Sequence, residues 1–322
     1  MICVKLYIMK YNYLGETGLQ VSEFGLGAMN FGQRIDKETS FAILDTAYEL
    51  GMNFIDTANA YGKSEEIIGE WLKKSGLREE MIISTKVGWP MGENQNDQGL
   101  SIRHIQKQLD GSLKRLGVDQ IDIYQPHYLP KQISVENLAN LFSDFVTQGK
   151  ISIIGGPLFC EPWRILKWWH YAHSTGLHNI GIRQIVLSLL SRGMHKSDLI
   201  DISKDINLGL IAFGCMGGGL LNGKYHSQNE FPSNGKDMFK KLHQDGDIDL
   251  ISEYLVELSG EIEIPPIIIA LSWVLNQSIA STHVLGASQP DQLSGIMQAA
   301  DVKLSIKEYE KLTKLSDENY LW

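Results

Sequence analysis

The stretch Asn53-Phe-Ile-Asp-Thr-Ala-Asn-Ala-Tyr61 places an acid and a phenol just beyond a short apolar run. Phe54 and Ile55 are typical of a buried strand. Asp56 falls where that strand should end, and Tyr61 follows five residues later. A loop of that length can bring both polar groups into one cleft. Taken alone, the pattern more often reflects an Asp that caps a turn and a Tyr packed on the surface, because Asp is common wherever chains bend.

Two further apolar runs end in ionisable side chains. Met81-Ile-Ile-Ser-Thr-Lys86 ends in Lys86, and Ile121-Asp-Ile-Tyr-Gln-Pro-His127 ends in His127. In a barrel of parallel strands, side chains at the C-terminal strand ends converge on one face. Taken alone, Lys86 could be a solvated lysine and His127 could simply end its strand. The same placement at the ends of three successive strands favours one shared site.

These residues carry a resemblance to a known family. From Asn53-Phe-Ile-Asp-Thr-Ala-Asn-Ala-Tyr-Gly-Lys-Ser-Glu65, through Ser112-Leu-Lys-Arg-Leu-Gly-Val-Asp-Gln-Ile-Asp122, to His127, the chain resembles the bacterial-type aldo-keto reductases. The resemblance runs from about residue 11 to about residue 314. It implies hydride transfer between a nicotinamide cofactor and a carbonyl or alcohol substrate. The family's catalytic positions correspond to Asp56, Tyr61, Lys86 and His127, and none is substituted.

The resemblance implies a role for each of these side chains. Tyr61 would donate the proton to the forming alkoxide. A Tyr with an ordinary pKa near 10 is a poor acid–base catalyst at neutral pH, so we expect Lys86 to lower the pKa of Tyr61. Asp56 would hold Lys86 charged, and His127 would hydrogen-bond the carbonyl oxygen. The direction of the reaction stays open, as do a regulatory, channel-associated role and redox-neutral chemistry such as elimination or epimerisation.

Composition and charge agree with a single domain. A chain of 322 residues that is 43% hydrophobic can bury a full core, and α/β barrels commonly reach this length as one domain. We therefore predict one domain over residues 1–322, with residues 1–8 as an extension. The net charge of −9 argues against a nucleic-acid partner, and the oligomeric state stays open.

The chain carries no obvious targeting or metal-binding pattern. No apolar stretch approaches the length of a membrane span, and the first residues do not resemble a signal peptide, so we expect a cytoplasmic protein without membrane association. The three cysteines are Cys3, Cys160 and Cys215. They lack metal-ligand spacing, so we expect free thiols and no metal site.

The order of apolar runs predicts an α/β fold. Residues 9–21, with a turn over residues 15–18, predict a β-hairpin. Strands and helices then alternate with short connections, which predicts a (β/α)8 TIM barrel with an N-terminal β-hairpin and long substrate loops at the C-terminal face. The first barrel strand should begin at residue 24, and the others should cover residues 54–56, 81–86, 121–125, 151–154, 183–187, 208–213 and 282–286. The predicted helices cover residues 37–50, 64–74, 101–116, 134–148 and 161–174, with one more after Pro290.

Three segments outside these elements should shape the substrate pocket. They are the loop over residues 87–100, the segment over residues 214–249, and a C-terminal tail from about residue 305. The second is too long for an ordinary connection and is therefore expected to be functional. Trp89 and Met91 are the predicted substrate contacts, although Trp89 equally suits a role in closing the barrel top.

The resemblance also assigns a cofactor site, with NADP as the family default and NAD left open. Gly27 and Met29 would line the cleft near the nicotinamide. Gln184 would bind the carboxamide, and Phe213 would stack on the ring. The glycines that follow would let the backbone approach the pyrophosphate, whereas Lys224 is either an added charge or simply solvated. The remaining predicted contacts are Gly214, Met216, Gly217, Gly219, Gly286, Ser288 and Gln292.

Two departures from the family concern this cofactor. The Ser-Asn pair that usually holds the carboxamide is replaced by Pro157 and Leu158, whose side chains cannot hydrogen-bond it. A Lys and an Arg that often grip the 2′-phosphate of NADP are replaced by Gly286 and Gln292. Backbone donors at residues 287–289 would still be available to a phosphate. We therefore expect discrimination against NAD to be weak.

Overall fold

The apolar runs form strands that pair in parallel, in chain order, into a closed barrel. The computed structural model describes residues 8–191, 198–224 and 248–318. In this part of the chain a short antiparallel hairpin, β1 and β2, precedes eight barrel strands, and pairing of the last strand with the first closes the ring. The strands are β1 Tyr11–Tyr13, β2 Gln20–Ser22, β3 Phe24–Gly27, β4 Phe54–Asp56, β5 Ile82–Val87, β6 Ile121–Pro126, β7 Ile151–Gly156, β8 Ile180–Val186, β9 Gly209–Phe213 and β10 Thr282–Leu285.

Helices follow the strands and cover the outside of the barrel. Several begin at the residue types that cap helices: the side chains of Asp36, Ser101 and Ser134 each accept a hydrogen bond from a backbone N–H of the first turn. Such a cap stabilises a helix by about 1 kcal/mol. The helices are α1 Lys37–Glu49, α2 Ser64–Ser75, α3 Ile102–Leu116, α4 Val135–Thr147, α5 Pro162–Thr175, α6 Leu199–Asp205, α7 Ile248–Ile262, α8 Pro266–Asn276, α9 Pro290–Met297 and α10 Ile306–Glu318.

The core has two parts. Inside the barrel, apolar side chains from alternate strand positions, such as Phe54 and Ile182, pack with Leu14 and Val21 of the hairpin, which closes the N-terminal end. A larger cluster lies between the strands and the surrounding helices. The hairpin sits against the barrel so closely that a Cβ at Gly15 would lie 2.3 Å from the backbone nitrogen of Gly209.

The predicted barrel and hairpin are confirmed, with small differences in the elements. β8 begins at Ile180, three residues before the predicted start, because the alternation continues through Gly181, whose missing side chain makes room for Thr17 of the hairpin. The tail contains α10. The predicted extension up to residue 7, Cys3, residues 225–247 of the long segment and residues 319–322 lie outside the described residues.

The described part of the chain contains no single helix long and apolar enough to cross a membrane. By length and composition alone, α7 from Leu250 onward and α8 pass such a test as a pair, but they are bent by 100° relative to each other.

Candidate active site

The strand ends bring the four predicted catalytic side chains together at the C-terminal mouth of the barrel. Asp56 is the last residue of β4, Lys86 lies near the end of β5, and His127 follows β6. Lys86 is buried, with 1% of its surface exposed. Its ammonium group pairs with Oδ2 of Asp56 and donates a second hydrogen bond to the backbone carbonyl of Thr57, at 2.9 Å.

Tyr61 meets both His127 and Lys86. Its hydroxyl lies 3.3 Å from Nε2 of His127, and the two rings are arranged edge to face with centroids 5.7 Å apart. The ammonium nitrogen of Lys86 lies over the Tyr61 ring, 5.5 Å from its centroid. The loop between β4 and α2 thus folds back as predicted and carries the phenol over the strand ends.

The electrostatics correct one expectation. Burial, and next the negative charge of Asp56, raise the pKa of Tyr61 well above its ordinary value, whereas the sequence predicted that Lys86 would lower it. The physical reason is that Lys86 is paired with Asp56, so its charge is largely balanced, and the phenol is desolvated. Tyr61 is therefore protonated at every physiological pH.

His127 is held neutral. Burial, with the positive charge of Lys86 as the second cause, lowers the pKa of His127 to about 2. Burial also lowers the pKa of Lys86, while the carboxylates of Asp56 and Glu65 oppose that change. The site therefore combines a neutral imidazole, a protonated phenol and a buried ion pair.

Trp89 lies beside His127, and Met91 follows it in the same loop. The Trp89 ring centroid is 5.9 Å from that of His127 and 5.3 Å from that of Tyr128, and 44% of the side chain is exposed. The Tyr128 hydroxyl fixes this arrangement by donating to the carbonyl of Gly88, at 3.0 Å. Met91 is exposed, and its backbone N–H is bound to the carbonyl of Asp97 at 2.8 Å.

The sequence reasoning missed Phe159. It follows β7, its backbone N–H donates to the carbonyl of His127 at 3.2 Å, and its ring is 46% exposed. The Phe159 ring meets the Phe213 ring edge to face, with centroids 6.5 Å apart. An aromatic residue three positions beyond a strand end was the available signal.

Gln184 makes a contact that the sequence did not predict. It is buried, with 1% of its surface exposed, and its amide nitrogen donates to Oδ1 of Asp56. Leu158 is buried as well, and its backbone N–H is taken by the carbonyl of Pro126 at 3.3 Å. Of the three positions that hold the carboxamide in the family, only Gln184 therefore keeps a polar side chain, and its amide nitrogen is already engaged.

The residues around this mouth match a known family over nearly the whole chain: the profile of the Aldo/keto reductase family covers residues 23–317. The chain belongs to the aldo/keto reductase family. An uncharacterized oxidoreductase, YrpG, of Bacillus subtilis is 34% identical over 322 aligned residues, which cover 96% of this chain and 95% of the relative. The L-glyceraldehyde 3-phosphate reductase of Escherichia coli O157:H7 is 31% identical, over 90% of this chain and 87% of the relative. A probable voltage-gated potassium channel subunit beta of rice is 29% identical, over 91% and 92%.

Membership of this family makes the chain a nicotinamide-dependent oxidoreductase of carbonyl compounds. The residues at the mouth fit such a cofactor. After β9, the turn through Gly214, Gly217 and Gly219 has positive φ angles of 70°, 58° and 86°, and Gly219 has open space where a Cβ would stand. A nicotinamide cofactor can therefore approach the backbone of this turn closely.

The other predicted contacts of this aldo/keto reductase lie around the same mouth. Gly27 and the exposed Met29 stand at the end of β3, and the half-buried Phe213 ends β9. Met216 accepts, through its carbonyl, the N–H of Gly219 at 3.0 Å. Lys224 is exposed at the end of the same turn, with its N–H bound to Oδ1 of Asn222 at 2.9 Å.

The turn predicted to bind the adenosine end of the cofactor is held by its own hydrogen bonds. The backbone N–H of Ser288, its hydroxyl and the backbone N–H of Gln289 all point to Oε1 of Gln292, at 2.8, 3.1 and 3.3 Å. Two of the backbone donors that the sequence left to a phosphate are thus satisfied by the side chain of Gln292. Gly286 is exposed, and a Cβ there would meet no atom within 4 Å.

Proposed function

We propose that this aldo/keto reductase reduces a carbonyl compound to an alcohol, with Tyr61 as the proton donor. The observation that carries the proposal is the hydroxyl of Tyr61 beside Nε2 of His127, over the buried pair of Lys86 and Asp56. The nicotinamide cofactor supplies the hydride when bound. NADP is the proposed cofactor, with NAD as a second substrate for the same site.

The protonated state of Tyr61 supports the reductive direction. A phenol that keeps its proton can give it to an oxygen on which negative charge develops. Neutral His127 can donate a hydrogen bond to the same oxygen through Nε2 without introducing a competing charge. The cation of Lys86, 5.5 Å from the centroid of the Tyr61 ring and largely balanced by Asp56, offsets part of the cost of the phenolate left after proton transfer. Asp56 keeps that cation in the buried site.

The side chains around the mouth support an apolar substrate. Met29, Trp89, Met91 and Phe159 all follow barrel strands and are all exposed, although exposed large apolar residues are usually isolated on a protein surface. Trp89 and Phe159 are the aromatic members of this set: the Trp89 ring lies beside the His127 ring, and the backbone N–H of Phe159 donates to the His127 carbonyl. We therefore propose a carbonyl group attached to an aromatic or other bulky apolar group, with the ring held between aromatic walls.

The experiment is a titration followed by a turnover assay. NADPH binding is measured by quenching of protein fluorescence, and NADPH oxidation is then measured with an aromatic aldehyde, a short aliphatic aldehyde and a phosphorylated triose. We expect turnover, fastest with the aromatic aldehyde. Tyr61→Phe should lower kcat by about 10²–10⁴-fold, the usual contribution of general acid catalysis, with the NADPH affinity nearly unchanged.

Two outcomes would contradict the proposal. A Tyr61→Phe variant that retains most of its rate would remove the phenol from the role of proton donor. NADPH binding without turnover of any carbonyl would instead favour a channel-associated role, since the name of the rice relative describes that protein as a probable potassium channel subunit. We also propose a cytoplasmic location, which agrees with Cys160 and Cys215 being free thiols.

A further inference from the structure

The hydrogen bond between Gln184 and Asp56 crosses the inside of the barrel. In the ring of strands, β4 and β8 are separated by three strands on either side, so Asp56 and Gln184 stand on opposite walls. The two residues are 128 positions apart in the chain. An ionised carboxylate only accepts hydrogen bonds, so the amide nitrogen of Gln184 must face it, and the amide oxygen remains for another donor.

This contact completes the set of partners around the Asp56 carboxylate. Oδ2 is held by Lys86 on the neighbouring strand β5, and Oδ1 is held by Gln184. With Lys86 alone, the carboxylate would be free to turn about its Cβ–Cγ bond. A donor on the other oxygen, coming from the opposite wall, fixes the plane of the carboxylate and so the position of the ammonium group bound to it.

We propose that Gln184 is a positioning residue that fixes the Asp56 carboxylate, and through it the Lys86 ammonium, beneath the ring of Tyr61. The inference rests on the proposed function, in which this pair supports proton transfer by Tyr61. The charged and titratable groups that face Asp56 are Lys86 on β5 and Tyr61 in the loop after β4. Lys86 is faced in turn by His127 and by Glu65 on α2.

The test compares three variants of the full chain. Gln184→Met removes the donor and keeps an unbranched side chain of similar length. Gln184→Glu introduces an acid that can donate to Asp56 only while it is protonated. Gln125→Met is the matched control, because Gln125 is also a buried amide inside the barrel but donates to the hydroxyl of Ser84, at 3.1 Å. For each variant, kcat at saturating NADPH and aldehyde is measured from pH 5 to pH 9, together with the dissociation constant of NADPH.

The expected results separate positioning from cofactor binding. A misplacement of about 1 Å can cost about a hundredfold in rate, so Gln184→Met should lower kcat by about tenfold to a hundredfold. The NADPH dissociation constant should change little, because the amide nitrogen of Gln184 is bound to Asp56. Gln184→Glu should be most active at low pH and lose activity as the new acid ionises. Gln125→Met should keep the wild-type profile.

The inference is overturned if Gln184→Met changes only the NADPH dissociation constant. It is also overturned if Gln125→Met changes the pH profile of kcat as much as the Gln184 variants do.

A second measurement does not depend on turnover. The losses of Tm in Gln184→Met and Asp56→Asn should add to more than the loss in the double variant, since the two residues share one contact. Additive losses would contradict the contact itself. Absence of carbonyl reduction by the wild type would count against the proposed function and leave this unfolding cycle to decide the inference.

Discussion

The predicted catalytic mouth and the predicted adenosine end of this enzyme are held together in different ways. At the mouth, Lys86, Asp56 and Gln184 come from three strands and are joined across the barrel. At the adenosine end, Ser288 and Gln289 bond to Gln292 within a single turn of chain. Groups joined across strands are fixed by the barrel as a whole. Groups joined within one turn depend only on local residues. In this turn, Gly286 and Gln292 replace the Lys and Arg that are common in the family.

This difference implies that substitutions at the mouth should be costly and coupled, whereas substitutions at the adenosine end should be mild and independent. Breaking a buried ion pair by removing one partner leaves an uncompensated charge, which typically costs 3–5 kcal/mol. An exposed charge pair is typically worth about 1 kcal/mol or less. Three substitutions test that contrast.

The largest effect is expected for Lys86→Met. The change leaves the buried carboxylate of Asp56 without its cation and directly facing Tyr61, so proton transfer from the phenol leaves two negative charges side by side. We expect kcat to fall by about a hundredfold or more, within the range of general acid–base catalysis. The free energy of unfolding should also fall, by about 3–5 kcal/mol. Steady-state kinetics and urea unfolding at pH 7.5 measure both quantities.

The control is the double variant Asp56→Asn/Lys86→Met. Removing both charges takes away the uncompensated carboxylate, so the double variant should be more stable than Lys86→Met alone. A double variant that is less stable than the single variant would show that the two side chains act through packing and not through charge.

The sequence predicted the catalytic mouth better than the contacts within it. Short apolar runs that each end in Asp56, Lys86 or His127 specify both the strands and the face on which they end, so the barrel and the convergence could be predicted together. The contact between Gln184 and Asp56 could not be predicted, because the two residues lie on opposite walls of the barrel and no local sequence pattern indicates such a contact. The raised pKa of Tyr61 was missed for a similar reason: it depends on burial, which only the folded barrel determines. The hydrogen bonds from Ser288 and Gln289 to Gln292 are local. They could not be predicted either, because a glutamine side chain has several equally good partners in a loop.

The second prediction concerns stability at low pH. The pKa of His127 is about 2 in the folded chain and near 6.5 in the unfolded chain. Between these values the unfolded chain binds one more proton at this residue, so stability is highest above pH 6.5 and is lost as the pH falls below it. Between pH 8 and pH 5, the titration of His127 should lower the free energy of unfolding of the wild type by about 2 kcal/mol. Urea unfolding of wild type and His127→Asn at both pH values measures the difference.

An exposed histidine provides the comparison for this measurement. His178→Asn changes a surface histidine and keeps His127, so the loss of stability that arises from His127 between pH 8 and pH 5 should remain. If His127→Asn also loses as much as the wild type, the imidazole is not held neutral by the catalytic mouth, and the contrast with the adenosine end is weakened.

The smallest effect is expected at Gly286, where a cation can be restored. A Cβ at this position meets no atom within 4 Å, and its φ is not in the left-handed region, so Gly286→Lys should be accommodated without strain. An ammonium group there would meet a 2′-phosphate in an exposed setting, worth about 1 kcal/mol, or roughly fivefold in affinity. Isothermal titration should therefore show NADPH binding about fivefold tighter, with NADH binding unchanged, and the gain should shrink at high salt.

The control for this prediction is Gly295→Lys, because a Cβ at Gly295 also meets no atom within 4 Å. Gly76→Lys is unsuitable, because the φ of Gly76, 75°, is left-handed. Equal gains for NADPH and NADH would mean that residue 286 does not face the 2′-phosphate, and that the adenosine end is arranged differently from the family pattern.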